Sequence, residues 1–266
     1  MSGAARARAA VKLLAVALLW PLGICWAPAH AADDAAALDV PKLLRAADRY
    51  RTGNGVENLQ VETLVTTFNR DGSPDKERRY LVYAQASHRS LVLMQSPAEK
   101  GQKVLMLGDD FWLVMPSSQR PLRITPMQKL LGDASTGDIA TLSWGDDYTG
   151  TLVGEEPCGE PKQTCLHLSL AATRKGVTYQ RQELWLGKAR KEPVKADLYV
   201  QSDKLAKLAR FVMDKPAAPT AVTEMLLRDQ LTNKKETQVR YVSRKEHQVP
   251  DAWLNPMFLA RNPNLE

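Results

Sequence analysis

The chain has 266 residues, 25% of them charged, and a formal net charge of +6. Three basic residues, Arg6, Arg8 and Lys12, stand near the start, and without them the balance is 33 basic to 30 acidic residues, or +3. Because this excess is small and the two signs are interspersed, the composition predicts no nucleic-acid-binding surface.

The first 31 residues have the layout of a cleaved secretory leader. The basic residues precede an apolar run, Leu13–Trp20, and Ala29-His30-Ala31 supplies the small residues that a signal peptidase requires. The run is shorter than the roughly 20 residues of a membrane span; an uncleaved anchor and lipidation at Cys25 are the alternatives. We expect a signal peptide over residues 1–31, cleaved near its last residue, and one periplasmic domain over residues 32–266.

Two cysteines, Cys158 and Cys165, flank a loop-like stretch between two strand-like segments. In an oxidising compartment this arrangement predicts a disulfide that closes a hairpin loop. Two free thiols, or half of a metal site, are the alternatives, but no Cys-x-x-Cys or His-x-x-x-His pair accompanies them. The sequence therefore predicts no metal, and no cofactor either, because it lacks phosphate-binding and dinucleotide-binding motifs.

The expected domain begins with one amphipathic helix. Asp39 is a suitable N-cap, Pro41 fits the first turn, and Leu43, Leu44 and Ala47 recur at helical spacing. About a dozen short, β-branched or apolar segments follow, with turn residues between them. Such spacing without alternating helices predicts an antiparallel meander, closed or partly closed.

Several strand segments, among them Leu91–Met94 and Phe111–Met115, are apolar on both faces. An antiparallel sheet normally buries one face and wets the other, so these strands need a cover on each side. Candidate covers are two helical pieces within Thr125–Leu131 and Ser135–Leu142, and the aromatic tail Pro250–Leu259. A filled core and a hydrophobic cavity beneath a helical lid are both compatible with this pattern.

No local motif indicates catalysis. A Gly-x-Ser-x-Gly elbow is absent, and the pairs Asp109-Asp110 and Asp146-Asp147 read as turn residues. Adjacent residues on a strand point to opposite faces, so neither pair forms a shared acid–base site. We expect a protein that is not an enzyme, with an unrecognised hydrolase as the alternative.

The segment Lys103–Ile124 carries an apolar strand, a Gly-Asp-Asp turn, Trp112, Pro116 and a basic stretch. With Lys100-Gly101 before it, this pattern resembles the outer membrane lipoprotein-sorting protein family, the relatives of the periplasmic carrier LolA. Asp138 matches a later acidic position of the family, whereas the turn at residues 132–135 departs from it. The resemblance implies a mainly β (α+β) fold: a curved antiparallel half-barrel of about eleven strands, as in LolA and LolB, with helices covering the concave face.

The resemblance also implies a hydrophobic cavity for acyl chains. The strand residues expected to line it are Leu91, Leu105, Leu107, Trp112 and Val114, and the expected lid residues are Met127, Leu130 and Leu131. Arg120 and Arg123 are expected to contact a polar head group or a partner, with solvated loop charge as the alternative.

The function implied is a monomeric periplasmic carrier or binding protein for lipidated proteins or other hydrophobic envelope molecules. Its expected partners are the acyl chains, an inner-membrane transporter and an outer-membrane acceptor, with transient contact to the membrane surface. The alternatives are a periplasmic regulatory sensor and an accessory protein of an envelope exporter, both of which bind proteins.

Overall fold

One curved, open antiparallel sheet dominates the structure, a computed structural model that describes residues 38–52, 58–118, 120–125, 136–140, 143–232 and 235–265. Thirteen strands are found in these residues, two more than the resemblance implies, in the order β6-β5-β4-β3-β2-β1-β13-β12-β11-β10-β9-β8-β7. The strands are β1 Leu59–Phe68, β2 Pro74–Gln85, β3 Arg89–Met94, β4 Lys103–Leu107, β5 Asp110–Val114, β6 Leu122–Ile124, β7 Tyr148–Cys158, β8 Gln163–Ala172, β9 Arg181–Gly187, β10 Pro193–Tyr199, β11 Leu205–Met213, β12 Val222–Asp229 and β13 Glu236–Glu246.

The chain path divides the sheet into two meanders. Strands β1 to β6 run outward to one edge, and the chain then crosses to the opposite edge, where β7 begins. Strands β7 to β13 return to the middle, where β13 pairs with β1. The long excursion expected between strands is therefore the connection between the two edges, and it contains helix α2, Thr136–Ala140.

The sheet curves until strands near its two edges meet. The guanidinium of Arg174, which follows β8, donates to the Gly108 carbonyl in the β4–β5 turn (3.1 Å) and to the Asp147 carboxylate just before β7 (2.8 Å). Asp109 of the same turn forms a further ion pair with Arg174. In the sheet order, β4 is third from one edge and β8 is second from the other, so only a strongly curved sheet allows these contacts.

Helix α1, Val40–Thr52, forms as the sequence predicts. The Asp39 carboxylate accepts the backbone N–H of Lys42 (3.1 Å) at the start of the helix, which satisfies one of the unpaired donors of the first turn. Leu43, Leu44 and Ala47 are buried in the main core, so the apolar side of α1 packs against the sheet. We call this side of the sheet the helix face.

Strands β2 to β5 have two apolar faces because each face has its own cover. Val82 of β2, Val92 of β3 and Val104 of β4 are cross-strand partners on the helix face. Leu91 and Leu105 belong to a second core on the opposite side, which we call the tail face. The alternation of side chains along the strands thus produces two separate cores from one apolar run.

The C-terminal segment covers the tail face. It contains a 3₁₀ helix, Asp251–Leu254, and helix α3, Pro256–Ala260. Leu254 and Leu259 are buried there with the tail-face strand residues. The Lys103 ammonium in β4 also forms a hydrogen bond with this segment, in which it donates to the Asn262 side-chain oxygen (2.8 Å). The tail thus packs back on the domain, as the sequence predicts.

Cys158 and Cys165 form the expected disulfide across the β7–β8 hairpin, with 5.8 Å between their Cα atoms. Both are buried and pack against Trp185 of β9. The cross-link therefore fastens the end of the edge strand β7 to the sheet interior.

Removal of this cross-link should lower stability by about 2–3 kcal/mol, the value expected for a short closed loop. The double variant Cys158→Ala/Cys165→Ala should show this loss in urea unfolding of the oxidised protein. Reductant should destabilise the wild type by a similar amount and leave the variant unchanged. A wild type that is insensitive to reductant would argue against a stabilising role for the disulfide.

Asp48 ties α1 to the segment before β7. Its carboxylate accepts the backbone N–H groups of Trp144 (2.8 Å) and Gly145 (2.7 Å) and the Ser143 hydroxyl (3.1 Å). Burial raises the pKa of Asp48 to about 6, although the Arg51 charge and these hydrogen bonds act in the opposite direction.

The raised pKa of Asp48 predicts a pH-dependent stability. Between about pH 4 and pH 6 the folded state holds this proton more tightly than the unfolded state, so its contribution is full below pH 4 and lost as the pH rises through 6. The free energy of unfolding of the wild type, relative to Asp48→Asn, should fall by up to about 3 kcal/mol from pH 4 to pH 7. A difference between the wild type and Asp48→Asn that stays flat across this pH range would contradict the prediction.

Candidate functional site

A cavity of about 50 Å³ lies on the helix face, between the sheet and the helices α1 and α2. Its apolar wall comes mainly from the returning meander: Val177, Leu198, Ala209, Phe211 and Met225. Phe211 of β11 and Met225 of β12 are direct cross-strand partners. The Phe211 ring meets Trp144 edge to face, with 5.6 Å between the ring centroids.

The polar part of the cavity lining is a hydrogen-bonded network. Trp144 donates its indole N–H to the Gln182 side-chain oxygen (3.0 Å), and the Gln182 amide donates to the Tyr148 hydroxyl. The Tyr148 hydroxyl donates to the backbone carbonyl of Tyr179 (2.8 Å). Burial raises the pKa of the Tyr148 phenol above its ordinary value, so this group remains a neutral donor. The network fixes the aromatic rings that border the cavity.

A buried ion pair holds α2 at the cavity. Asp138 of α2 pairs with Lys207 of β11, and both side chains are almost completely buried. The Tyr179 hydroxyl donates to the other Asp138 oxygen (2.6 Å). Close packing also holds α2 in place. A side chain at Gly137 has no room, because its Cβ atom would lie 2.0 Å from the Thr178 hydroxyl oxygen. The short helix is therefore held by polar side chains together with the buried Ile139, and glycine is required at the point of closest approach.

Arg51 brings a positive charge to the same border. Its side chain is only 7% exposed, and its guanidinium carbon lies 4.3 Å from the centre of the Trp144 ring. This distance is within the range of a cation–π interaction. The cavity therefore combines an apolar wall from β10 to β12 with a charged and hydrogen-bonding end near α1 and α2.

The structure places the five strand residues of the expected cavity together, but on the tail face. Leu91, Leu105 and Val114 are buried in the tail-face core, with Leu107 and Trp112 packed against it. They face away from the helix face and its cavity, because the residues next to them along each strand are the ones that belong to the helix-face core. Their contact with a ligand stays a prediction.

The remaining expected site residues fall in different places. Met127, Leu130 and Leu131 lie outside the described residues. Arg120 is exposed, and Arg123 is exposed beside Trp112 on the tail face, where it forms an ion pair with Asp110.

Sequence reasoning did not single out Arg51, Trp144, Tyr148 or Phe211. The only local signal was Trp144, an aromatic residue at the end of the excursion that breaks the strand rhythm. Arg51 lies in a run of alternating charges at the end of α1, which is typical of a solvated helix surface.

Within the described residues, no cluster of three or more His, Cys, Asp or Glu side chains could hold a metal ion. Nor does this part of the chain contain a helix that is both long enough and apolar enough to span a bilayer.

Comparisons with known proteins agree on the fold. A family model described as "Uncharacterized protein" matches residues 86–261, more than half of the chain. A LolA superfamily protein from Nitrosomonas europaea superimposes with a TM-score of 0.71 and 29% identity, over 80% of this chain and 96% of that one. None of the curated protein sequences matches the chain.

Two further solved structures share the fold. A putative outer membrane lipoprotein-sorting protein domain from Vibrio parahaemolyticus has a TM-score of 0.64 and 18% identity, over 83% of this chain and 98% of that one. A DUF1329 family protein from Desulfovibrio piger has a TM-score of 0.63 and 23% identity, over 81% of this chain and 95% of that one. The chain therefore belongs to the family whose model matches residues 86–261, and it is similar in sequence and fold to a LolA superfamily protein and in fold to an outer membrane lipoprotein-sorting domain.

Proposed function

We propose that this protein binds hydrophobic or lipidated molecules in the periplasm and carries them between the inner and the outer membrane. The observation that carries the proposal is the cavity between the apolar strands β10 to β12 and the helices α1 and α2. It lies in a chain that shares 29% identity with a LolA superfamily protein along nearly the whole length of that protein. On this proposal the helix face is the concave face of the sheet, and α1 and α2 cover it.

The physical need for such a carrier is clear. Each methylene group removed from water contributes about 0.8 kcal/mol, so one long acyl chain is stabilised in an apolar site by on the order of 10 kcal/mol. A lipid anchor therefore does not cross an aqueous compartment unprotected. The carrier must also release its cargo, which requires a cover that opens.

The cavity volume indicates how binding would occur. Pockets for small organic ligands usually have volumes of about 300–1,000 Å³, several times the 50 Å³ found here. An acyl chain would thus have to move α2, α1 or both away from the sheet. Helix α2 is suited to such movement because it has five residues, buries only Ile139 among its described apolar side chains, and is otherwise held by Lys207 and Tyr179.

The cellular setting belongs to the same proposal. A leader over residues 1–31 would export the chain, and the remaining domain would act as a monomer that touches membrane surfaces transiently. An inner-membrane transporter would supply the cargo, and an outer-membrane acceptor would receive it. None of these roles requires catalysis.

Cargo retention is the first test. Native mass spectrometry of the mature protein, purified gently from the periplasm, should show a bound lipid, acylated peptide or other apolar molecule at about one per chain. Lipid extraction would then identify its class. A protein without cargo that also takes up no fluorescent fatty-acid probe would contradict the carrier and favour a protein-binding function.

Filling the cavity should prevent binding. Ala209 lines the cavity, whereas Leu208, its neighbour on β11, points to the other side of the sheet. Ala209→Leu should weaken binding of a fluorescent fatty acid at least tenfold, because the added side chain occupies the space of the ligand. The matched enlargement Leu208→Phe should leave binding unchanged. Thermal melts of both variants would identify any general loss of folding, since overpacking typically costs about 1–3 kcal/mol.

A second pair of variants distinguishes the two faces of the sheet. Phe211→Ala removes an aromatic ring from the helix face, and Trp112→Ala removes one from the tail face. If the ligand binds on the helix face, Phe211→Ala should lower its affinity about tenfold while Trp112→Ala lowers stability alone. The reverse result would assign the ligand to Trp112 and its neighbours, as the sequence pattern predicts.

A further inference from the structure

Two arginines and a tyrosine lie near one another on the helix face, and one of them, Arg51, lines the cavity. Arg51 lies in the last turn of α1, and Tyr241 and Arg244 belong to β13. The Arg244 guanidinium carbon stands 4.4 Å from the centre of the Tyr241 ring. One Arg244 nitrogen donates to the backbone carbonyl of Val222 in β12 (2.5 Å). The charge of Arg51 is close enough to act on Arg244.

Buried donors in this group lack acceptors. The Tyr241 hydroxyl and the Nε atom of Arg244 have almost no exposed surface, and the described residues provide no hydrogen-bond partner for either. Tyr241 as a whole is 9% exposed. A buried polar group without a partner is destabilising, so such groups in a native protein usually meet a partner at some stage of function.

The Arg244 side chain is partly buried near a second positive charge. Burial lowers the pKa of Arg244, and the charge of Arg51 acts in the same direction, whereas Tyr241 acts in the opposite direction. Arg51 itself interacts with the Asp48 carboxylate. A partly buried guanidinium group whose Nε atom has no hydrogen-bond partner among the described residues is stabilised by an added anion.

We propose that Arg51, Tyr241 and Arg244 bind the anionic oxygens of an amphipathic ligand, a carboxylate or a phosphate, while its hydrocarbon chain lies along the helix face. The inference rests on the proposed function and names the chemical class of the cargo. Guanidinium groups match planar and tetrahedral oxyanions with paired hydrogen bonds. The apolar continuation is present, because Met225 and Phe211 line the adjacent cavity that Arg51 also borders.

The placement gives the ligand a direction. Its charged end would lie at β12, β13 and the end of α1, and its chain would extend from there toward β10 and β11. A neutral lipid of the same chain length would offer no negative charge to Arg244 and should bind more weakly. The site therefore selects for head-group charge as well as for chain length.

The test compares two probes with the same chain, oleate and the neutral monoolein, by titration calorimetry on the mature protein. The wild type should bind oleate at least tenfold more tightly than monoolein. Arg244→Met keeps the length of the side chain and removes its charge, so it should weaken oleate binding about 10- to 100-fold, as expected for a charge-assisted hydrogen bond. Binding of monoolein should change less than twofold.

A matched control is Arg240→Met. Arg240 is an exposed residue of the same strand that pairs with Glu224 on the opposite face. It should leave both probes unaffected. Tyr241→Phe keeps the ring and removes the hydroxyl, and it should weaken oleate several-fold, so the inference remains testable even if Arg244→Met folds poorly.

The outcomes separate the two proposals. Equal affinity of the wild type for oleate and monoolein would leave the carrier standing and overturn the anionic head site. Binding of inorganic phosphate that depends on Arg244, together with equal binding of the two lipids, would assign the site to a free anion and overturn the head-group inference. Failure of the wild type to bind either lipid would overturn both proposals.

Discussion

The constraint on which the structure depends is that strands β2 to β5 are apolar on both faces. A sheet of this kind does not remain in water with one face uncovered, so the chain must supply two covers. It does so with the two ends of the domain: α1 packs on the helix face, and the C-terminal segment with Leu254 and Leu259 packs on the tail face. The curvature brings the edges toward each other, and the contacts of Arg174 hold them together.

The two covers differ in a way that bears on function. On the tail face, Leu91 and Leu105 are completely buried by apolar side chains of the C-terminal segment. On the helix face, α2 buries Ile139 in the core and is also held by the ion pair between Asp138 and Lys207 and by the Tyr179 hydroxyl. Water can replace the polar contacts, whereas exposed apolar surface has no comparable compensation. Among the described side chains, α2 buries one apolar residue and the tail buries Leu254, Leu259 and Leu265, so displacement of α2 exposes less apolar surface than displacement of the tail.

The sequence predicts the parts of this fold that are local in origin. Asp39, Pro41 and the apolar spacing after them specify α1, and the cysteines on either side of a turn specify the cross-linked hairpin. The sequence does not predict which face of a strand packs against which cover. Alternation with a period of two shows that residues lie on two faces, but not which face meets α1 and which meets the tail. Leu105 and Val104 are equivalent in sequence, and only the docking of the distant tail distinguishes them. The strand count was low for a related reason: β6, Leu122–Ile124, has only three residues and is defined by its pairing with β5.

The sequence does not indicate the polar residues of the site, because these residues are far apart along the chain. Arg51 and Arg244 each look like ordinary surface charge in their own segments, and only the pairing of β13 with β1 and the docking of α1 bring them together. Arg51 lies over the Trp144 ring at the border of the apolar wall that Phe211 and Met225 form, so one end of the cavity is charged while the other is apolar. A buried guanidinium group weakens apolar burial unless an acceptor or an anion satisfies it, and a ligand with its own negative charge would meet that requirement at Arg244.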